Sequence, residues 1–306
     1  MTTSITGSPF APAEEAPGET SRRSTEHRAG LRALGMSLAI VACLAFGFIA
    51  TISVLGSLRE SRDQVTAFDD YRYDLANGTA PVSQVDSNGA ILPLGIAVAV
   101  IKIPALGLQQ VVLNGTTSAV MMSGPGHRRD TVLPGQAGVS VIYGRRAAFG
   151  GPFAGLASLE PGASITTVTG QAESTYTVVA VRRAGDPIPA PAQTGRLTLI
   201  TAAGDPYQPD GLLIVDADLT TDAQPADPLF ITRSSLDPAE LALQGESSAW
   251  VGILLWSQLL LVVVLLMTFA WARWSRWEAW LIGVPVLVAV GIGTSGQIAQ
   301  LLPNLT

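Results

Sequence analysis

The sequence predicts a mainly β protein: a compact barrel of short strands attached to a membrane by three transmembrane α-helices, one N-terminal and two C-terminal. Three observations predict it. Charged residues are only 14% of the 306 and hydrophobic ones 48%, where a soluble domain carries roughly 25% charged residues. Three stretches, 33–58, 249–272 and 279–302, meet the roughly 20 apolar residues that a bilayer crossing requires. Between them, residues 92–218 break into β-branched runs punctuated by Gly and Pro, the pattern of strands and turns.

The elements follow in order. Residues 1–32 are rich in Ser, Thr, Pro, Glu and Ala without hydrophobic periodicity, which predicts a disordered tail. Residues 33–58 read "ALGMSLAIVACLAFGFIATISVLGSL". The alternative, a cleaved signal peptide, fits less well. The apolar core is too long, the preceding segment is too long, and no small-x-small cleavage site stands out. Residues 59–91 form a juxtamembrane helix and linker, with Val65, Phe68, Tyr71 and Leu75 at helical spacing from Glu60 to Leu75. The strand runs of 92–218 are "AVAVIKI", "GVSVIYG", "SITTVTG", "STYTVVAVRR", "RLTLIT" and "LLIVDADL"; so many short strands suit an antiparallel or mixed barrel. Residues 219–248 are a polar linker. Residues 249–272 and 279–302 are the second and third spans, joined by "RWSRWE" and followed by "PNLT". Gln258 and Gln297 stand out as polar residues in these spans. Each either hydrogen-bonds to a neighbouring helix or lies near an interface.

Arginines precede the first span (Arg22, Arg23, Arg28, Arg32) and occupy the loop between the last two (Arg273, Arg276). The positive-inside rule puts both on the cytoplasmic side, and hence residues 59–248 and the "PNLT" tail outside. Trp250, Trp274, Trp277 and Trp280 at span ends are the aromatics expected at a membrane interface.

Composition also excludes. A net charge of −6 with a single lysine, Lys102, is not the surface of a nucleic-acid-binding protein. Cys43 is the one cysteine and lies in an apolar run, so it forms no intrachain disulfide and lacks the electropositive setting of a thiolate nucleophile. His27 and His127 have none of the short-spaced partners of a zinc site. No metal and no cofactor is expected.

Four blocks in order give residues 92–218 a family resemblance. They are "VIKIPALGLQQVVLNGT", "GPGHRRDTVLPGQAGVSVIYGRRAAFGGPFAGLASLEPGASITTVTG", "RLTLITA" and "GLLIVDADL". The segment resembles the sortases, the membrane-anchored cysteine transpeptidases of Gram-positive bacteria, in their actinobacterial type. The resemblance implies a sortase-like β-barrel outside the membrane. It also implies a reaction in which a cysteine attacks the carbonyl of a sorting-signal peptide, a histidine moves protons and an arginine stabilises the oxyanion, the logic of acyl transfer.

Matched residue by residue, the histidine position of the family holds Arg145 and the cysteine position holds Ala202. The arginine position holds Gly211, or Asp210 if the loop differs by one residue. Ala202 has no nucleophilic atom, and Arg145 stays cationic and cannot be a general base. Thr201 has a hydroxyl, but a hydroxyl needs an adjacent base. His127 belongs to the upstream "GPGH" block, outside the family triad, where a structural or substrate-loop role is expected.

The resemblance therefore implies a catalytically degenerate sortase, a pseudoenzyme. Its expected role is a binding or scaffold module for surface-protein or envelope assembly in a multi-pass cell-membrane protein. The expected partners are the lipid bilayer and a cell-surface protein, a peptide or an active sortase. Two alternatives stand beside it: a transpeptidase or hydrolase with unorthodox residues, and a purely structural membrane component. Arg145, Arg146, Thr201 and His127 are the candidate groove residues. Arg145 and Arg146 either bind an anionic group or form ion pairs with Asp130, Glu160 or Asp205, which contribute little when exposed.

Overall fold

The computed structural model describes residues 46–190, 192, 194–273 and 276–306. The expected disordered tail, His27, Cys43, the amino-terminal arginines, Trp274 and residues 33–45 of the first expected span lie outside the described residues.

Eight strands close into a barrel. They are β1 (Ala97–Ile103), β2 (Leu108–Asn114), β3 (Gly126–His127), β4 (Gly138–Tyr143), β5 (Ser164–Val168), β6 (Glu173–Arg183), β7 (Gly195–Asp205) and β8 (Gln208–Leu219), in the order β1-β2-β3-β4-β7-β8-β6-β5. The sheet is mixed: β2–β3 and β4–β7 pair parallel and the rest antiparallel. Each run expected to be a strand is one. The two-residue β3 was not expected as a separate strand, because two residues carry no alternation. Gly126 is required there, since a Cβ would lie 2.2 Å from the Gly115 carbonyl oxygen.

The period of two sorts β7 between two faces. Leu197, Leu199 and Ala203 belong to the barrel core with Val98, Ile101, Ile142, Phe153, Tyr176 and Val215. Ile200 and Ala202, on the other face, belong to a second cluster with Met121, Val141, Tyr143 and Ile214. A third cluster joins Val100, Val111 and Leu113 to Tyr71.

Tyr71 comes from helix α1 (Gly56–Asn77), which follows a π-helical stretch at Thr51–Leu55. The helical stripe of the sequence holds only in part: Phe68 and Leu75 pack with Tyr71, but Val65 is 65% exposed and the buried Gln64 replaces it. The reason is the open edge of β2. Because β3 covers only Leu113 and Asn114, Gln64 pairs with Val111 as a strand would. Its Oε1 accepts from the Val111 N–H at 2.7 Å and its Nε2 donates to the Val111 carbonyl at 3.1 Å. A buried polar side chain is satisfied by a backbone that would otherwise be unpaired.

The polar stretch after β8 packs on the barrel. Within it Glu240 is fully buried and its carboxylate is paired with Arg129. Two helices follow, α2 (Ala249–Arg273) and α3 (Arg276–Gln300). Among the described residues these are the two long and apolar enough to cross a membrane, over Ala249–Met267 and Leu281–Gln300. They pack by seating large side chains against glycines: Gln297 lies over Gly252 and Trp256 over Gly293. Small residues let membrane helices approach in this way. Helix α3 stops at Gln300 rather than at Leu302, and residues 301–306 turn back onto the barrel.

Candidate functional site

The register of the parallel pair β4–β7 builds the site. Tyr143 lies opposite Ile200, and the Gly144 N–H donates to the Ile200 carbonyl at 3.0 Å. Continued two residues, this brings Arg145 level with Ala202. On the other side β8 pairs Leu212 with Ala202 and Gly211 with Ala203. The three positions matched to the family's catalytic residues therefore lie at one end of three neighbouring strands.

Arg145 is fully buried. Its Nε donates to the Met121 carbonyl at 3.1 Å. Its Nη2 donates to the Ser118 carbonyl at 3.1 Å and to Ser118 Oγ at 2.7 Å. Its Nη1 donates to the carbonyls of Thr306 at 3.1 Å and Pro303 at 3.4 Å. The guanidinium also stands 5.1 Å from the centre of the Phe149 ring, within range of a cation–π attraction. All its hydrogen-bond partners are carbonyl or hydroxyl oxygens, neither of the two roles expected for it. Burial lowers its pKa to about 10, with Glu246 acting in the opposite direction. It therefore remains charged at neutral pH.

Arg146 is half-buried. Its Nη1 donates to the Ala202 carbonyl at 3.1 Å and its backbone N–H donates to the Leu305 carbonyl at 3.0 Å. With Arg183, Asp205, Gln208 and Asp210 it lines an open cleft of about 600 Å³ beside Ala203 and Gly204. Asp130, an expected partner of the arginine pair, is bound instead by Arg128 at 2.6 Å. Gly211 adjoins this cleft, and a Cβ there would meet nothing within 4 Å.

Thr201 and Ala202 part company. The alternation along β7 turns Ala202 to the outer cluster and Thr201 to the barrel interior. There its buried hydroxyl has no hydrogen-bond partner among the described residues.

His127 is placed on β3, opposite Ile142 of β4. Its Nε2 meets the Val132 carbonyl at 2.8 Å, so the proton is on that nitrogen. Burial lowers its pKa from 6.5 to about 4. The unfolded chain therefore binds one more proton than the native protein between these values. Stability is fully present above about pH 6.5 and falls as pH drops towards 4, by on the order of 3 kcal/mol in all. Comparing urea unfolding of the native protein and His127→Asn at pH 7.5 and pH 4.5 checks this: the variant should lose most of that pH dependence. Equal slopes for the two proteins would contradict it.

The residues that sequence reasoning missed come from the far end of the chain. Residues 303–306 form a strap across the outer face of β4 and β7. Leu305 is fully buried and belongs to the cluster of Met121, Val141, Tyr143, Ile200, Ala202 and Ile214. Asn304 Nδ2 donates to the carbonyls of Thr116 at 2.7 Å and Leu241 at 3.0 Å. Ser118 Oγ donates to the Leu302 carbonyl at 3.3 Å. The strap thus packs in one cluster with Ala202, and Arg145 donates to its first and last carbonyls, those of Pro303 and Thr306. Four residues after an apolar helix carry no periodic signal that would have announced this.

Residues 101–220 match the family model of the sortase domain. No curated protein sequence matches the chain. Solved structures that resemble it include a sortase D transpeptidase of Clostridium perfringens, 19% identical, covering 54% of this chain and 100% of that one with a TM-score of 0.42. A mutant sortase E of Streptomyces avermitilis is 28% identical over 42% of this chain and 91% of its own, with a TM-score of 0.36. A sortase of Corynebacterium diphtheriae is 26% identical over 42% and 87%, with a TM-score of 0.37. The closed eight-stranded barrel thus contains, over residues 101–220, a segment similar to the sortase domain.

Proposed function

We propose that the chain is a non-catalytic sortase, a membrane-held module that binds an extended peptide segment in the groove beside Ala202 during surface-protein or envelope assembly. The observation that carries this reading is the state of Arg145. At the position matched to the family's histidine, a buried guanidinium donates five hydrogen bonds to carbonyl and hydroxyl oxygens. A group so employed donates hydrogen bonds and cannot shuttle protons. Ala202 offers no nucleophile, and Thr201 points the other way.

The open cleft beside Ala203 and Gly204 supports this reading, since peptide binding by backbone contacts and side-chain pockets needs no nucleophile. The placement follows the same reading: a multi-pass protein of the cell membrane, amino terminus inside, barrel outside, supported by the two apolar helices and the arginine asymmetry. An active sortase or a surface protein passing through the same pathway is the partner this site suits.

The test is direct. The purified full chain is incubated with sorting-signal peptides and hydroxylamine as acceptor, and hydroxamate is measured with and without an alkylating reagent. No product above the no-protein control is expected. Turnover that resists alkylation and is lost on substitution of a groove residue would establish the enzyme reading instead.

A further inference from the structure

We propose that residues 303–306 are a tethered occupant of the groove, and that the groove's own ligand is an extended segment presenting a leucine where Leu305 now lies. This rests on the reading of the groove as a peptide-binding site and specifies what it binds. Every contact of the strap is one that a separate peptide could make. An apolar side chain fills a pocket lined by Met121, Tyr143, Ile200 and Ala202. The carbonyl of that residue accepts from the Arg146 N–H, and the next carbonyl accepts from Arg145 Nη1. The residue before it gives its amide to two loop carbonyls. Recognition therefore runs through main-chain atoms, one leucine and one asparagine amide, the mode by which grooves read extended segments.

The size of the 202 side chain matters here. Alanine leaves room for Leu305, and its Cβ forms part of the pocket wall, 2% exposed under the strap. The fit is incomplete at one point: Asn304 Oδ1 is buried without a hydrogen-bond partner among the described residues. An occupant held by main-chain contacts and two side chains, with one acceptor unsatisfied, is exchangeable.

The tether makes exchange selective. The strap begins just after α3, whose Gln300 carbonyl accepts from the Glu246 N–H at 2.9 Å. So short a connection gives an effective concentration on the order of millimolar. An incoming peptide binds only the fraction of molecules whose strap is open, and its apparent Kd rises by the inverse of that fraction. With the strap open in about 1–10% of molecules, the weakening is roughly 10- to 100-fold.

The experiment uses the full chain in detergent micelles and a fluorescent peptide Leu-Leu-Pro-Asn-Leu-Thr, the sequence of residues 301–306, followed by anisotropy. Leu305→Ser empties the pocket in cis and should bind the peptide at least tenfold more tightly than the native chain. Adding Ala202→Leu fills the pocket and should abolish the gain. A peptide with serine in place of its third leucine should bind neither protein. If Leu305→Ser does not fold, Asn304→Ala, which keeps the leucine and removes two hydrogen bonds, should still give at least a threefold gain. The proposal is overturned if a folded strap variant, by circular dichroism and thermal transition, binds no more tightly than the native chain. Hydroxamate formation by the native chain would remove the non-catalytic reading yet leave this order of affinities unchanged, so the two failures are distinguishable.

Discussion

Replacing Arg145 by methionine should lower the thermal midpoint of the protein by roughly 10 °C. Methionine fills similar volume, and exchanging a buried ion for a hydrophobe is often harmless because the ion's desolvation penalty goes with it. Here the partners decide the sign. They are the backbone carbonyls of Met121, Ser118 and Thr306, which remain in place and buried when the guanidinium is gone. Each stranded acceptor costs about 1–3 kcal/mol. Allowing for the arginine's own desolvation, a net loss of about 3–5 kcal/mol remains. For a domain of 150–250 residues each kcal/mol moves the midpoint by about 2–4 °C. Arg146→Met, which removes one hydrogen bond from a half-buried group, should cost about 1 kcal/mol. Differential scanning of both variants checks the contrast, and equal small shifts would contradict the role given to Arg145.

The second large effect concerns a thiol introduced by Ala202→Cys in a Cys43→Ala background. Position 202 is 2% exposed and lies beneath Leu305. A membrane-impermeant maleimide applied to intact cells should label it slowly. Adding Leu305→Ser should raise the labelling rate at least tenfold, because reaction requires access to the thiolate and the neighbouring cationic Arg146 favours that form. The same experiment reports the side of the membrane. Labelling confined to lysed cells would place the barrel inside and overturn the orientation. Equal rates in the single and double variants would mean that the strap does not cover the site.

The strands were legible because each is a local pattern of β-branched residues and turns, and the six runs expected all pair in the barrel. What was not legible is non-local. Gln64 is a polar residue on a helix, and only the unpaired edge of β2 makes it a core residue. Arg145 reads as a surface charge, since all five of its hydrogen bonds go to residues more than twenty positions away, four of them to backbone carbonyls, which have no sequence signature. The three matched positions fall at one end of neighbouring strands, a placement that the order of the blocks alone does not give. Nor does it separate Thr201 from Ala202: the choice between them depends on which face of β7 is interior, and a run apolar at nearly every position does not declare its phase. The strap was beyond reach for both reasons, being short and held by distant partners.

The position of the strap in the chain also sets an order in time. Strand β8 completes the barrel at Leu219, and two whole helices must be made before Leu305 exists. At about 5–20 residues per second the interval is roughly 4–17 s. Throughout it a newly folded barrel exposes Met121, Tyr143, Ile200 and Ile214 to its surroundings, and Arg145 lacks two of its acceptors. The newborn protein is thus in its most receptive state before its own synthesis is finished. Whatever segment it meets then competes with no tether at all.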